Sequence, residues 1–200
     1  MITLVIIGVI AAITIPALIS KYHDEQLKTQ IKKSYSTISN ALNSTITNLG
    51  YVPKCWYSDD TDTTSGLNRN EQSECELLIG EIVKKLNVTK YCENNAIDNG
   101  CIPEYSEYGS TGCQGFFSKN SFNNSSSAWI LGDGSIFISY ARSWLVYYDI
   151  NGFKGPNTPG KDVFALLIDR PKLNSNQLKF SGCSCSPGKN FSDALKDAYK

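Results

Sequence analysis

The chain has 200 residues, 41% of them hydrophobic, and its 19 basic side chains balance 19 acidic ones. That length and composition suit one compact domain with an appendage and exclude a disordered or polytopic chain. The balanced charge leaves no overall field to recruit nucleic acid or an anionic membrane surface, so nucleic acid is not expected as the main partner and function has to come from local features.

The first predicted element is a helix. Residues 1–19 (MITLVIIGVIAAITIPALI) carry no charge, and only Thr3 and Thr14 are polar. As a helix this run is about 28 Å long, close to the ~30 Å hydrocarbon core of a bilayer. Three readings compete: a cleaved secretory signal, a lone membrane anchor, and a helix that continues into a folded head. A signal needs a basic segment before the apolar run and a small-residue cleavage site after it, and neither is clean here.

The apolar pattern instead runs on through Leu27, Ile31, Tyr35, Ile38, Leu42, Ile46 and Leu49, at spacings of 4, 4, 3, 4, 4 and 3. That is one stripe of an α-helix, with Lys28, Lys32, Lys33, Asn40 and Asn43 off it. Gly50 supplies a residue able to adopt the left-handed conformation that closes a helix. Residues 1–20 are therefore read as the transmembrane half of one long helix and residues 21–50 as its amphipathic half. Pro16 lacks a backbone donor and predicts a kink or local melting around residues 12–16, with Gly8 a second weak point.

Ile7-Gly8-Val9-Ile10-Ala11-Ala12-Ile13-Thr14-Ile15-Pro16-Ala17-Leu18 resembles the N-terminal helix of type IV pilins and type II secretion pseudopilins, with its glycine and proline at the same separation. The resemblance implies that Gly8, Ile10, Ala11, Ala12, Pro16 and Leu18 belong to a polymerisation helix. Its implied partners are other pilin or pseudopilin subunits, an inner-membrane assembly platform and membrane lipid. It further implies a non-enzymatic filament subunit of the bacterial inner membrane, passing once through it and later drawn into a periplasmic or cell-surface filament. The implied fold is α+β: a pilin-like long N-terminal helix packed on a small antiparallel sheet, with disulfide-rich loops. Family members begin with a basic leader ending in Gly, then Phe-Thr-Leu and a Glu, and none of this precedes Met1. The expectation is a start at an internal Met. Lys21 and Lys28, on the far flank, would orient the head toward the cytoplasm by the charge rule. The cysteines favour the exported orientation.

Those cysteines are Cys55, Cys75, Cys92, Cys101, Cys113, Cys183 and Cys185. Scattered through polar segments, with no C-x-x-C pair and with the only histidine, His23, far away, they read as disulfides rather than zinc ligands. Seven is odd, so one thiol is left over or pairs between chains, and connectivity stays open. Residues 51–127 read as a loop-rich variable region with one helix, Asn70 to Leu86, which puts Cys75, Leu78, Ile79, Ile82, Val83 and Leu86 on one face.

Residues 128–185 predict an antiparallel sheet of three or four strands. Trp129 to Leu131, a turn at Asp133-Gly134, and Ile136 to Tyr140 form a hairpin; Trp144 to Ile150 and Val163 to Ile168 add two strands. Tyr140, Trp144, Tyr147 and Tyr148 form either an exposed adhesive surface or, with strand alternation, largely core. Residues 186–200 are a tail, with Phe191 to Lys200 an amphipathic helix or a frayed end.

The loop from Asp149 to Asp162 is the candidate for chemistry. Asp149-x-Asn151-Gly152 sets oxygen ligands at alternate positions before a tight turn, as calcium prefers, and Asn157 and Asp162 could complete the shell. This stretch resembles the C-terminal segment of many prepilin-type proteins, some of which hold calcium there. The alternative is that Asp149, Asn151 and Asn157 make Asx-turns with their own backbone. No catalytic residues stand out: no nucleophile has a visible base and no glycine-rich phosphate loop is present. A minor pilin that binds a surface, substrate or DNA, and an exported envelope protein with an uncleaved anchor, remain as rival readings.

Overall fold

The computed structural model describes residues 2–57, 71–109, 116–171 and 175–200, without the side chains of 2–11, 13, 17 and 20. The fold is α+β. Helix α1 (Ile2–Leu49) runs unbroken through Pro16, so the melting expected there is absent. Losing one backbone bond is tolerated where the turns on both sides stay helical. The stripe read from the sequence is the face that docks: Ile31, Ile38 and Leu42 are buried, and Leu27, Tyr35 and Ile46 pack against the same core. Gly50 ends the helix with φ of +73° and donates its N–H to the Ile46 carbonyl at 3.0 Å.

Among the described residues six strands follow where three or four were expected. They are β1 (Val88–Cys92), β2 (Ser126–Leu131), β3 (Ile136–Tyr140), β4 (Leu145–Asp149), β5 (Val163–Asp169) and β6 (Lys179–Gly182). Each pairs antiparallel with its sequence neighbour, giving one meander in the order β1-β2-β3-β4-β5-β6. The four central strands are those read from the sequence. The two edge strands were missed because each is short and polar. Helix α2 (Cys75–Val83) is shorter than the predicted span, and residue 70 lies outside the described residues. Its start is fixed by the Cys55–Cys75 disulfide and by the Trp56–Glu71 bridge, which keeps the incoming chain extended. The region read as loop also holds the six-residue α3 (Lys119–Asn124), whose cap Ser118 accepts from the Ser121 N–H at 3.1 Å. At the other end, the expected tail folds as α4 (Phe191–Ala198), capped by Asn190 and docked through Phe191, Ala194 and Ala198.

Strand alternation divides the sheet between two cores. Phe137, Val146, Tyr148, Phe164, Leu166 and Ile168 face α1, α2 and α4. Ile138, Leu145, Tyr147, Ala165 and Leu167 face the other way, beneath Tyr105, Phe117 and Phe122. All five residues of β4 are consequently buried. Tyr147 and Tyr148 lie fully inside on opposite faces, and Tyr140 and Trp144 are half-buried, so the aromatic cluster is core and not an adhesive surface.

Among the described residues the cysteines pair as Cys55–Cys75, Cys92–Cys101 and Cys183–Cys185. Cys113 lies outside the described residues. Among the described residues no helix is long and apolar enough to cross a membrane. Of the run 2–20 only the side chains of Ala12, Thr14, Ile15, Pro16, Leu18 and Ile19 are described, and all six are exposed.

Candidate functional site

The β4–β5 connection starts from Asp149 and returns through Asp162, with Asp149 opposite Val163 in the ladder. Asp149 Oδ1 accepts from the N–H groups of Asn151 at 3.2 Å and Gly152 at 2.6 Å. Asp162 accepts from the N–H groups of Asn157 and Thr158, both at 2.7 Å. Each carboxylate thus pins one arm of the loop. The Asx-turn alternative is realised in Asp149, whose carboxylate bonds its own backbone two residues on. Asn151 Nδ2 crosses the loop to the Gly155 carbonyl at 2.6 Å.

Glycine is required at Gly152, where φ is +57° and a Cβ would collide with the Gly134 carbonyl of the neighbouring turn. Gly160 and Gly188 likewise approach each other too closely for side chains, which packs the loop against the strap leading into α4. On its other flank the loop is tied to Ser106, whose N–H donates to the Asn157 carbonyl at 2.9 Å.

Hydrogen bonding leaves this loop with unused oxygens. Both carboxylates are 0% exposed, and neither forms an ion pair with a basic side chain among the described residues. Among the described residues Asp149 Oδ2, Asn151 Oδ1 and Asn157 Oδ1 are buried with no partner at hydrogen-bond geometry, although Tyr105 lies beside Asp149 and Asn151 beside Asp162. Burial, and then the charge of Asp162, push the Asp149 carboxyl up to about 7, against the pull of the Gly152 and Asn151 amides. Burial raises Asp162 as well. The buried Tyr105 hydroxyl beside Asp149 is itself raised well above its ordinary value by burial and by that carboxylate. A buried charge without a counter-charge is costly, and this loop holds two such groups.

The donor set fits a hard cation in kind, because every unused atom is an oxygen and two donors are carboxylates. Among the described residues no three His, Cys, Asp or Glu side chains gather at one place, so the carboxylates are joined by amide oxygens. Asp149, Asn151 and Asn157 would supply free oxygens. Asp162 has lone pairs left beyond its two amides. Calcium takes about six to eight oxygens, so carbonyls or water would complete the shell. When bound, the ion would neutralise the two carboxylates.

The four loop residues named from the sequence therefore come together. The sequence gives no sign of Tyr105, Thr158 or the Gly188 strap, which arrive from distant or unremarkable segments. The six residues named for polymerisation all lie in the α1 helix. The side chains of Gly8, Ile10 and Ala11 lie outside the described residues, while Ala12, Pro16 and Leu18 are exposed. Where α1 passes the loop, residues 23–30 and 151–161 enclose a groove of about 510 Å³. No protein-family model matches the chain, and no curated protein or solved structure does so either.

Proposed function

We propose that this chain is a structural subunit of a filament of the type IV pilus or type II secretion pseudopilus class, held in a bacterial inner membrane and assembled through α1. The observation that carries the reading is the division of that one helix. Its second half is packed into the head. In its first half every described side chain is exposed, with Ile15 52%, Leu18 70% and Ile19 51% exposed beside Tyr22 at 68%. A stripe of large apolar side chains with no cover in its own chain calls for lipid before assembly and for neighbouring helices after it. The uncharged run that precedes the stripe has the length to lie in a bilayer. The disulfides suit a head outside the cytoplasm.

In this reading the head displays a surface and performs no catalysis, and calcium in the Asp149–Asp162 loop would stabilise its fold. The test is to place the full chain in lipid vesicles and crosslink it through a cysteine introduced at Ala12. Insertion with a ladder of crosslinked multimers is expected. Insertion with monomers alone favours a lone envelope anchor, and a chain that stays in the aqueous phase contradicts the reading.

A further inference from the structure

We propose that the groove between α1 and the β4–β5 loop binds the anionic phosphodiester headgroup of a membrane lipid whose acyl chains lie along the exposed stripe of α1. This rests on the membrane-held reading above and adds a partner to it. The groove is lined on the helix side by His23, Asp24, Gln26, Leu27 and Gln30, and on the loop side by Asn151, Lys154, Gly155, Pro156 and Lys161.

Position is the first argument. Ile15, Ile19, Tyr22, Gln26 and Gln30 follow one another at spacings of 4, 3, 4 and 4, so they share one helix face. The apolar stripe therefore leads directly into the groove. His23 stands about 6 Å beyond Ile19 along the helix axis. The headgroup layer of a bilayer is roughly 5–8 Å thick on each side. A lipid whose chains lie beside Ile15 and Ile19 would thus present its phosphate at the mouth of this groove.

Charge is the second argument. Lys154 and Lys161 line the loop side, and neither has an ion pair or a side-chain hydrogen bond among the described residues. Every other lysine on the neighbouring stretch of α1 from 28 to 33 is engaged: Lys28 with Glu25, Lys32 over the Tyr199 ring and Lys33 with Asp133. Among the described lining residues Asp24 is the single carboxylate, so the two loop cations outnumber it. Gln26 and Gln30 add amide donors for phosphate oxygens, and Leu27 and Pro156 give an apolar wall for the glycerol end. Two unpaired ammonium groups above an apolar stripe are the arrangement that attracts anionic lipid at a membrane surface.

The test uses the full chain, first for flotation with phosphatidylcholine vesicles and then, in mild detergent, for native mass spectrometry with phosphatidylglycerol or phosphatidylcholine added. One phosphatidylglycerol retained per chain is expected, at about tenfold above phosphatidylcholine. Lys154→Ala combined with Lys161→Ala should bring retention down to the phosphatidylcholine level. Lys84→Ala with Lys85→Ala, neither of which lines the groove, should leave it unchanged. Flotation without headgroup preference, or a preference that survives the Lys154/Lys161 double substitution, overturns this proposal alone. Failure to float removes the membrane reading and this proposal with it. Displacement of the lipid by soluble glycerol phosphate at the lipid's own concentration would show that the acyl chains contribute nothing, and would overturn the lipid assignment.

Discussion

The two halves of α1 are continuous in backbone and opposite in what holds them. Between Leu27 and Leu49 the helix owes its place to the sheet: Ile38 is 0% and Leu42 1% exposed, and the face they form is one wall of the larger core. Between Ala12 and Tyr22 every described side chain is exposed, the large apolar Ile15, Leu18, Ile19 and Tyr22 among them. Isolated helices are marginal in water, and packing of one face supplies most of their stability in proteins. The first half therefore has to find its packing outside the chain, and the boundary between the halves falls where the β4–β5 loop reaches residues 23–30.

The largest effect is expected at that boundary. The Asp149 carboxyl, ordinarily near 4 in an unfolded chain, is raised to about 7 in the fold by burial and by Asp162. The folded state then binds the extra proton, so stability is greatest below pH ~4 as far as this group is concerned and falls as pH rises toward 7. Full ionisation costs on the order of 4 kcal/mol. Thermal melts of the full chain in mild detergent should show the midpoint dropping between pH 4.5 and 7.5. Millimolar calcium should restore it at the higher pH, and Asp149→Asn should abolish the rescue and shrink the drop to the part that the buried Asp162 contributes. A midpoint insensitive to calcium at pH 7.5 would remove the cation from the account.

Next comes the packed half. Leu42→Ala should destabilise the head by about 3 kcal/mol, since it deletes a fully buried side chain and leaves a cavity beside the sheet. Chemical denaturation reads this directly. A loss under about 1 kcal/mol would mean that α1 is not held by that face.

Smaller is the polar link between the amphipathic half and the β2–β3 turn. Lys33 Nζ bonds Asp133 Oδ2 at 2.8 Å, and Asp133 in turn accepts from the Ser135 N–H and hydroxyl. Lys33→Ala should cost about 0.5 kcal/mol, the usual worth of an exposed pair. Asp133→Ala should cost more, because the turn loses its own bonds as well. Equal effects from the two variants would contradict this ordering.

The smallest effect on head stability belongs to the projecting half. Leu18→Ala removes an exposed side chain and should change the denaturation midpoint by less than about 0.5 kcal/mol. If it destabilises the head as Leu42→Ala does, the contrast between the halves is wrong.

Legibility in the sequence followed the source of each element's stability. The amphipathic half of α1 was readable because a buried face repeats every three or four residues, and β2 to β5 because each is rich in β-branched and aromatic side chains. By contrast β1 (VTKYC) has one buried residue of five and β6 (KFSG) one of four. Both exist as edges because β2 and β5 offer them hydrogen bonds, which no local pattern announces. The polar α3 rests on a serine cap and on Phe122 docking under the sheet. In the loop, the alternating oxygens of Asp149 and Asn151 were visible locally. Tyr105 was not, since it reaches Asp149 only through the tertiary fold. The pairing of the cysteines was invisible for the same reason.

We propose that copies of this chain meet through the exposed half of α1. This is tested most directly by comparing the full chain with Leu18→Lys in vesicles, using crosslinking at Ala12 for self-association and a thermal melt for the head. The wild type is expected to give multimers, and Leu18→Lys to lose them with the head's melting midpoint unchanged. Multimers that persist undiminished with a lysine at position 18 would contradict it.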